Sequence, residues 1–235
     1  MVKRQYAIQY EPLSRKSACV KPMKLPSTNQ EGAAKTDAGI LIMAIFFAGI
    51  LFIAFTTNPV YVGIKEGDRA PMLKGTAYDG ISWVSFTLND EFNQSWEEDS
   101  SDGDWYIVEF LDINCGYCKT GAQTIAENQQ LIDNSPATRY ANVKFLAVAL
   151  KLPLQGSEYT RENVVAFRDN YGHNFPYLDA MDGNLKSDWK ISGTPTYFLI
   201  KPNGVIAWAS PEHSNEDVWD AYGRLVPKLS SQEAN

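Results

Sequence analysis

The chain has 235 residues and a formal net charge of −7, which leaves room for one ordinary domain with appendages rather than two full domains. Its hydrophobic fraction of 44% supports a packed core, and three cysteines are too few, and odd in number, for a disulfide scaffold. Seven bases against three acids before residue 38 leave +4 there and −11 on the remainder; so acidic a body excludes a phosphate-backbone binder, and no nucleic-acid partner is expected.

Residues 1–37 are polar, carry Pro12, Pro22 and Pro26, and show no periodicity. They read as a disordered basic tail in which Cys19 is a reduced, unremarkable thiol. From Ala38 to Thr57 the sequence runs twenty residues without a charge. A helix of that length covers roughly 30 Å, a bilayer core, so a single transmembrane helix and a lipid partner are expected. The long segment before it and the poor small-x-small site after it favour a retained anchor over a cleaved signal. Positive charge stays inside, which places the tail in the cytoplasm and everything after Thr57 outside the cell membrane.

Residues 58–75 contain Pro59, Gly63, Gly67 and Pro71 and read as a linker to a domain over 76–232. Ile81–Leu88 is an expected strand, and the acidic run that follows, from Asp90 to Asp104, is a solvated loop. Within it Asn93-Gln94-Ser95 is a weak glycosylation sequon. Trp105–Leu111 is rich in β-branched and aromatic residues, as a buried strand requires, with Trp105 and Tyr106 in the core. A helix is expected over Cys115–Asn134 from apolar Ala122, Ile125, Ala126 and Ile132, with Lys119 solvated. Val143–Leu150 is nearly all apolar, the pattern of a central strand covered on both faces. Thr160–Asn170 reads as a helix capped by Thr160, with Val164, Phe167 and Tyr171 along one stripe. Thr196–Ile200 and Val205–Ala209 form a hairpin across Lys-Pro-Asn-Gly. Ser214 opens a last helix to Leu229, with Asp217 in capping-box position. The order strand, strand, helix, strand, helix, strand, strand, helix specifies an α/β fold with a central mixed sheet.

Cys115-Gly116-Tyr117-Cys118 sits where the buried strand ends and a helix begins. A thiolate is the attacking species in disulfide exchange, and a helix N-terminus offers unpaired N–H groups and a positive dipole end that favour it. The dipole alone contributes about 0.3–1 kcal/mol, less than one pKa unit, so direct hydrogen bonds to sulfur must supply the rest. Gly116 lets backbone approach closely, and the spacing lets Cys118 resolve a mixed disulfide formed at Cys115. Structural zinc would need four ligands, but only His173 and His213 accompany the pair in this domain, neither at finger spacing. Each histidine reads as a surface or satisfied polar residue, and no metal is expected. A purely structural disulfide in so short a loop would stabilise little.

The stretch EFLDINCGYCK, together with Gly193-Thr194-Pro195-Thr196 opening a strand, resembles the active-site pair of the thioredoxin superfamily. The resemblance implies a thioredoxin-like fold and places Pro195 as a cis-proline beside the CxxC. It also implies that Thr194 presents backbone to a substrate chain, that Gly116 and Tyr117 contact that chain, and that Glu109 is a buried acid shuttling the Cys118 proton. GDRAP near residue 67, Asp79-Gly80 and TPTYFLIKPNGVI are similar to the TlpA-like reductases, commonly membrane-tethered. The segment between Leu150 and Ile191, with FPYLDAMDG, fits their strand–helix insertion. FLDINCGYC and SGTP also resemble periplasmic disulfide isomerases, whose dimerisation domain has no counterpart here. Asn114 and Tyr117 stand where TlpA-like proteins usually carry Trp and Pro.

The expected function is a thiol–disulfide oxidoreductase acting on extracytoplasmic proteins, in the reductase or isomerase direction. The alternatives are a disulfide-donating oxidase, a redoxin-type peroxidase, and a membrane-tethered binding module with a structural disulfide. The peroxidase would attack from a Pro-Thr-Cys context, which this sequence lacks. With no flavin or nicotinamide fingerprint, no cofactor is expected, and electrons would pass to or from another thiol protein, expected in the membrane.

Overall fold

The computed structural model describes residues 30–56, 61–98, 100, 103–134, 141–152 and 159–228. The chain divides into two units, Met1–Asn58 and Pro59–Asn235. In the first, helix α1 spans Gln30–Thr56, and its side chains from Ala38 to Ile53 are exposed, large apolar ones among them. Thr57 lies outside the described residues, as does the tail up to residue 29 with Cys19. Among the described residues, no helix is long and apolar enough to cross a membrane.

The second unit is built on a seven-stranded mixed sheet with the order β2-β1-β5-β4-β3-β6-β7. Its strands are β1 (Lys74–Tyr78), β2 (Trp83–Thr87), β3 (Trp105–Leu111), β4 (Val143–Ala149), β5 (Tyr177–Asp179), β6 (Thr196–Ile200) and β7 (Ile206–Ala209). Strand β3 lies in the interior of the sheet, between β4 and β6, and every one of its residues is buried. It runs parallel to β4, with Trp105 opposite Val143, and antiparallel to β6, with Glu109 opposite Tyr197. Alternation divides its side chains. Trp105, Ile107 and Leu111 join a core with helices α2 (Gly116–Asn134), α3 (Arg161–Asn170) and α5 (Val218–Leu225). Tyr106, Val108 and Phe110 join a second core on the opposite face, with Leu185 of helix α4 (Asn184–Asp188), Trp189 and Ile191.

Five strands and three helices of this unit match the expected order; β1 is an addition to it, and β5 and α4 fall in the Leu150–Ile191 segment where a strand–helix insertion was expected. Strand β1 (KGTAY) holds a glycine and an alanine, and β5 has three residues; neither carries the β-branched density that marks a strand in isolation. The β1–β2 turn is held by Asp79, whose Oδ1 accepts from Ile81 N and Ser82 N, both at 2.8 Å. The stretch expected to be a loose linker is packed from Tyr61 onward. Ala70 and Leu73 are buried, and Gly67 N, Ile206 N and Ala70 N donate to Ile206 O, Asp68 O and Gly204 O at 2.8–2.9 Å. Arg69 thereby bridges antiparallel to Val205 beside β7.

Capping follows the sequence at one helix and departs from it at another. Asn163 Oδ1 accepts from Thr160 N at 2.9 Å at the start of α3, and Phe167 and Tyr171 rings lie 4.8 Å apart on its stripe. Helix α5, by contrast, begins at Val218 rather than after Ser214. Asp217 is itself the cap, accepting from Trp219 N and Asp220 N at 2.9 Å. The β6–β7 hairpin turns at Gly204 with φ 82°. A Cβ there would meet Phe92 Cδ2 at 2.6 Å, so both backbone sign and packing demand glycine.

Candidate functional site

Strand β3 ends at Leu111, and the chain reverses into α2 through a loop pinned by Asp112. That carboxylate is buried and accepts from Asn114 N and Leu152 N, both at 2.8 Å, while Asp112 O accepts from Cys115 N at 2.9 Å. Cys115 is left immediately before the first residue of α2, facing its free N–H groups.

Both cysteines are thiols, 2% and 1% exposed, but their surroundings differ. Cys115 lies before the first residue of α2 and against Thr194 O, while Cys118 lies one turn into the helix. Burial works against ionisation of Cys115. The N–H groups of Cys118 and Tyr117, the Thr194 hydroxyl and the Cys118 thiol outweigh it and hold its pKa below the ordinary value. Burial pushes the Cys118 thiol well up, and the nearby Glu109 carboxylate adds to that rise.

The other residues singled out from the sequence converge here, with Tyr117 and Gly116 on the outside. Cys115 Sγ donates to Thr194 O at 3.3 Å, and the Thr194–Pro195 peptide is cis. The Thr194 hydroxyl is buried without an ordinary hydrogen-bond partner, yet close enough to favour both thiolates. Tyr117 is 81% exposed. Apart from its chain neighbours and its own helix, no described residue lies within 4 Å of where a Gly116 Cβ would stand. The close approach expected at Gly116 is therefore not made by this chain's own backbone, and the space is open to another molecule.

Glu109 is 4% exposed. Burial raises its carboxyl to about 8, although the Tyr197 hydroxyl, which donates to Oε1 at 3.0 Å, draws it down. Sequence reasoning missed Tyr197 because only the β3–β6 register sets it opposite Glu109. Asp112 was also missed; its place three residues before the first cysteine is the only signal it offers. His173 is buried, with Nε2 2.8 Å from Ala122 O and Nδ1 2.6 Å from Tyr177 Oη. A carbonyl accepts only, so Nε2 carries the hydrogen and Tyr177 donates to Nδ1. Burial keeps this imidazole's pKa below the usual range. His213 pairs with Glu66 and Glu216. Both histidines are satisfied, and among the described residues no cluster could hold a metal ion.

A mixed sheet, with a CxxC at the N-terminus of the helix that follows its β3 strand and a cis-proline beside the first cysteine, is thus on hand. The model of the AhpC/TSA family matches residues 80–209. The chain belongs to that family. No curated protein matches the sequence. Among solved structures, the chain is similar to the thioredoxin domain of a thiol-disulfide oxidoreductase from Bacteroides vulgatus. That match has 15% identity, 74% of this chain, all of that one, and a TM-score of 0.49. It is also similar to a candidate thiol:disulfide interchange protein DsbE from Chlorobium tepidum (17% identity, 69% and 94% covered, TM-score 0.47). A third is a secreted Mycobacterium tuberculosis disulfide oxidoreductase homologous to E. coli DsbE (16% identity, 67% and 89% covered, TM-score 0.42).

Proposed function

We propose that this AhpC/TSA family member is a thiol–disulfide oxidoreductase whose working pair is Cys115 and Cys118. The observation that carries the reading is the opposite tuning of the two sulfurs: Cys115 favoured as thiolate at a helix N-terminus, Cys118 held as thiol beneath it. The Cys115 thiolate attacks a client disulfide; one client sulfur leaves as a thiolate and takes a proton from solvent. Glu109, as carboxylate, accepts the Cys118 proton, and Cys118 attacks Cys115 Sγ. The mixed disulfide breaks, the second client sulfur leaves, and two electrons have passed from the dithiol to the client. Gly116, Tyr117, Thr194 and Pro195 form the surface that receives the client chain.

The uncharged run from Ala38 to Thr57 and the exposed apolar side chains of α1 support attachment to a lipid bilayer. The basic tail supports a cytoplasmic N-terminus, with the redox domain and its clients on the far side. TlpA-like reductase or isomerase duty, fed by a thiol partner in the membrane, follows from that topology. The deciding experiment equilibrates the full chain, carrying Cys19→Ser, with thiol buffers and measures the Cys115–Cys118 potential. A value near about −270 mV supports a reductant, and one between about −180 and −120 mV supports isomerase or oxidase duty. Absence of a reversible two-electron couple refutes the redox reading.

A further inference from the structure

Tyr197 has a buried carboxylate on one side and a cleft on the other. Its backbone is fixed on β6, where Tyr197 N donates to Ser210 Oγ at 3.0 Å. Its hydroxyl donates to Glu109. Tyr197 lines a cleft of about 310 Å³ with Gly121 and Thr124 of α2, Trp208 of β7, Trp219 of α5 and the acidic side chains of Glu216 and Asp217.

Gly121 makes the connection possible. A Cβ at that position would stand 3.1 Å from Tyr197 Oη, closer than side chains ordinarily pack, so glycine leaves the hydroxyl its place at the floor of the cleft. The titratable groups around Glu109 are Cys118 from α2, Tyr177 from β5 and Tyr197 from β6; its register partner on β4 is Ala147. Of these, Tyr197 both bonds the carboxyl and borders the cleft.

We propose that Tyr197 is a positioning residue that passes protons between Glu109 and the cleft between α2 and α5, with Gly121 keeping its hydroxyl in reach. This rests on the reading of Cys115 and Cys118 as a redox pair. After Glu109 has taken the Cys118 proton, its O–H donates to Tyr197 Oη while the tyrosine's own hydrogen passes to a water in the cleft. One proton leaves for solvent, the carboxylate is restored and the hydroxyl is unchanged. Without such an exit a carboxyl buried this deeply would keep its proton and could not act as base in the next turnover.

The test uses the full chain with Cys19→Ser, and its Tyr197→Phe and Gly121→Ala derivatives. The Glu109 carboxyl is titrated by its infrared band, and insulin-disulfide reduction is followed against pH. Tyr197→Phe moves the titration upward by about one pH unit, since a donor to the charged form is lost. The rising limb of the rate follows it, its plateau drops several-fold, and KM for insulin stays put. Gly121→Ala acts in the same sense and more weakly. An unmoved Glu109 titration in Tyr197→Phe overturns the proposal, and so does a shifted limb with an unchanged plateau, which would leave the hydroxyl setting affinity without carrying the proton. A parent chain that titrates as described but shows no reversible Cys115–Cys118 couple overturns the redox reading instead, leaving the Tyr197–Glu109 coupling intact.

Discussion

The two faces of the central sheet solve different problems with the same strands. Beneath α4, the face built by Val108, Phe110, Leu178 and Phe198 is packed with apolar groups and rings, Phe110 lying 5.0 Å from Trp189 and 5.8 Å from Phe198. Among the described residues each face buries two polar atoms without a partner, Tyr106 Oη and Trp189 Nε1 here and Trp96 Nε1 and Tyr159 Oη on the other. Beneath α2 and α3, the other face buries Cys118, Glu109, Tyr177 and His173, and it pairs them: Tyr197 to Glu109, Tyr177 to His173, His173 to Ala122 O. One face supplies cohesion. The other gives up some of it to keep a carboxyl and a thiol out of water, where their proton affinities can be moved.

Substitutions on the two faces should therefore separate chemistry from stability. The largest effect is at the reacting sulfur: Cys115→Ser abolishes insulin-disulfide reduction while leaving the urea midpoint nearly unchanged, and Cys118→Ala accumulates mixed disulfides visible on a non-reducing gel. On the apolar face, Phe110→Ala lowers stability by about 3–5 kcal/mol in urea titration without moving the potential of the cysteine pair. A moved potential there would break the comparison.

Glu109→Gln sharpens it through pH. The folded carboxyl sits at about 8 against an unfolded value of 4.5. The native state's advantage is therefore complete below pH 4.5 and is lost as pH rises to about 8. Urea midpoints of the parent chain should fall across that window and those of Glu109→Gln should not, leaving the variant more stable at pH 7 by on the order of 2 kcal/mol. Parallel profiles would show that the acid is not titrating in the core. The smallest effect is Tyr177→Phe, which leaves His173 Nδ1 buried without a donor and costs about 1–2 kcal/mol, with the thiol chemistry untouched.

How far the sequence carried this depended on whether a feature is local. The CxxC, the Thr160 cap, the Lys201–Gly204 turn and the wholly buried β3 all declare themselves within a few neighbouring residues. Strand β1 does not, because its glycine and alanine become a strand only through pairing with β2 and β5. Glu109 was reachable by resemblance, since it lies six residues before Cys115. Tyr197 was not, because its meaning comes from a register joining residues 88 positions apart.

The packed segment around Arg69 has a consequence for how copies of this chain meet. A terminal strand ordinarily presents a row of unpaired N–H and C=O groups on which another chain can polymerise. Residues 67–70 pair with Gly204, Val205 and Ile206, so the β7 edge is covered where the strand begins. At the opposite end β2 lies outermost, beside Ile81 at 89% exposed. A chain trimmed to begin after Ala70 would lose that cover and leave the edge at Ile206 as open to pairing with another copy as the edge at β2.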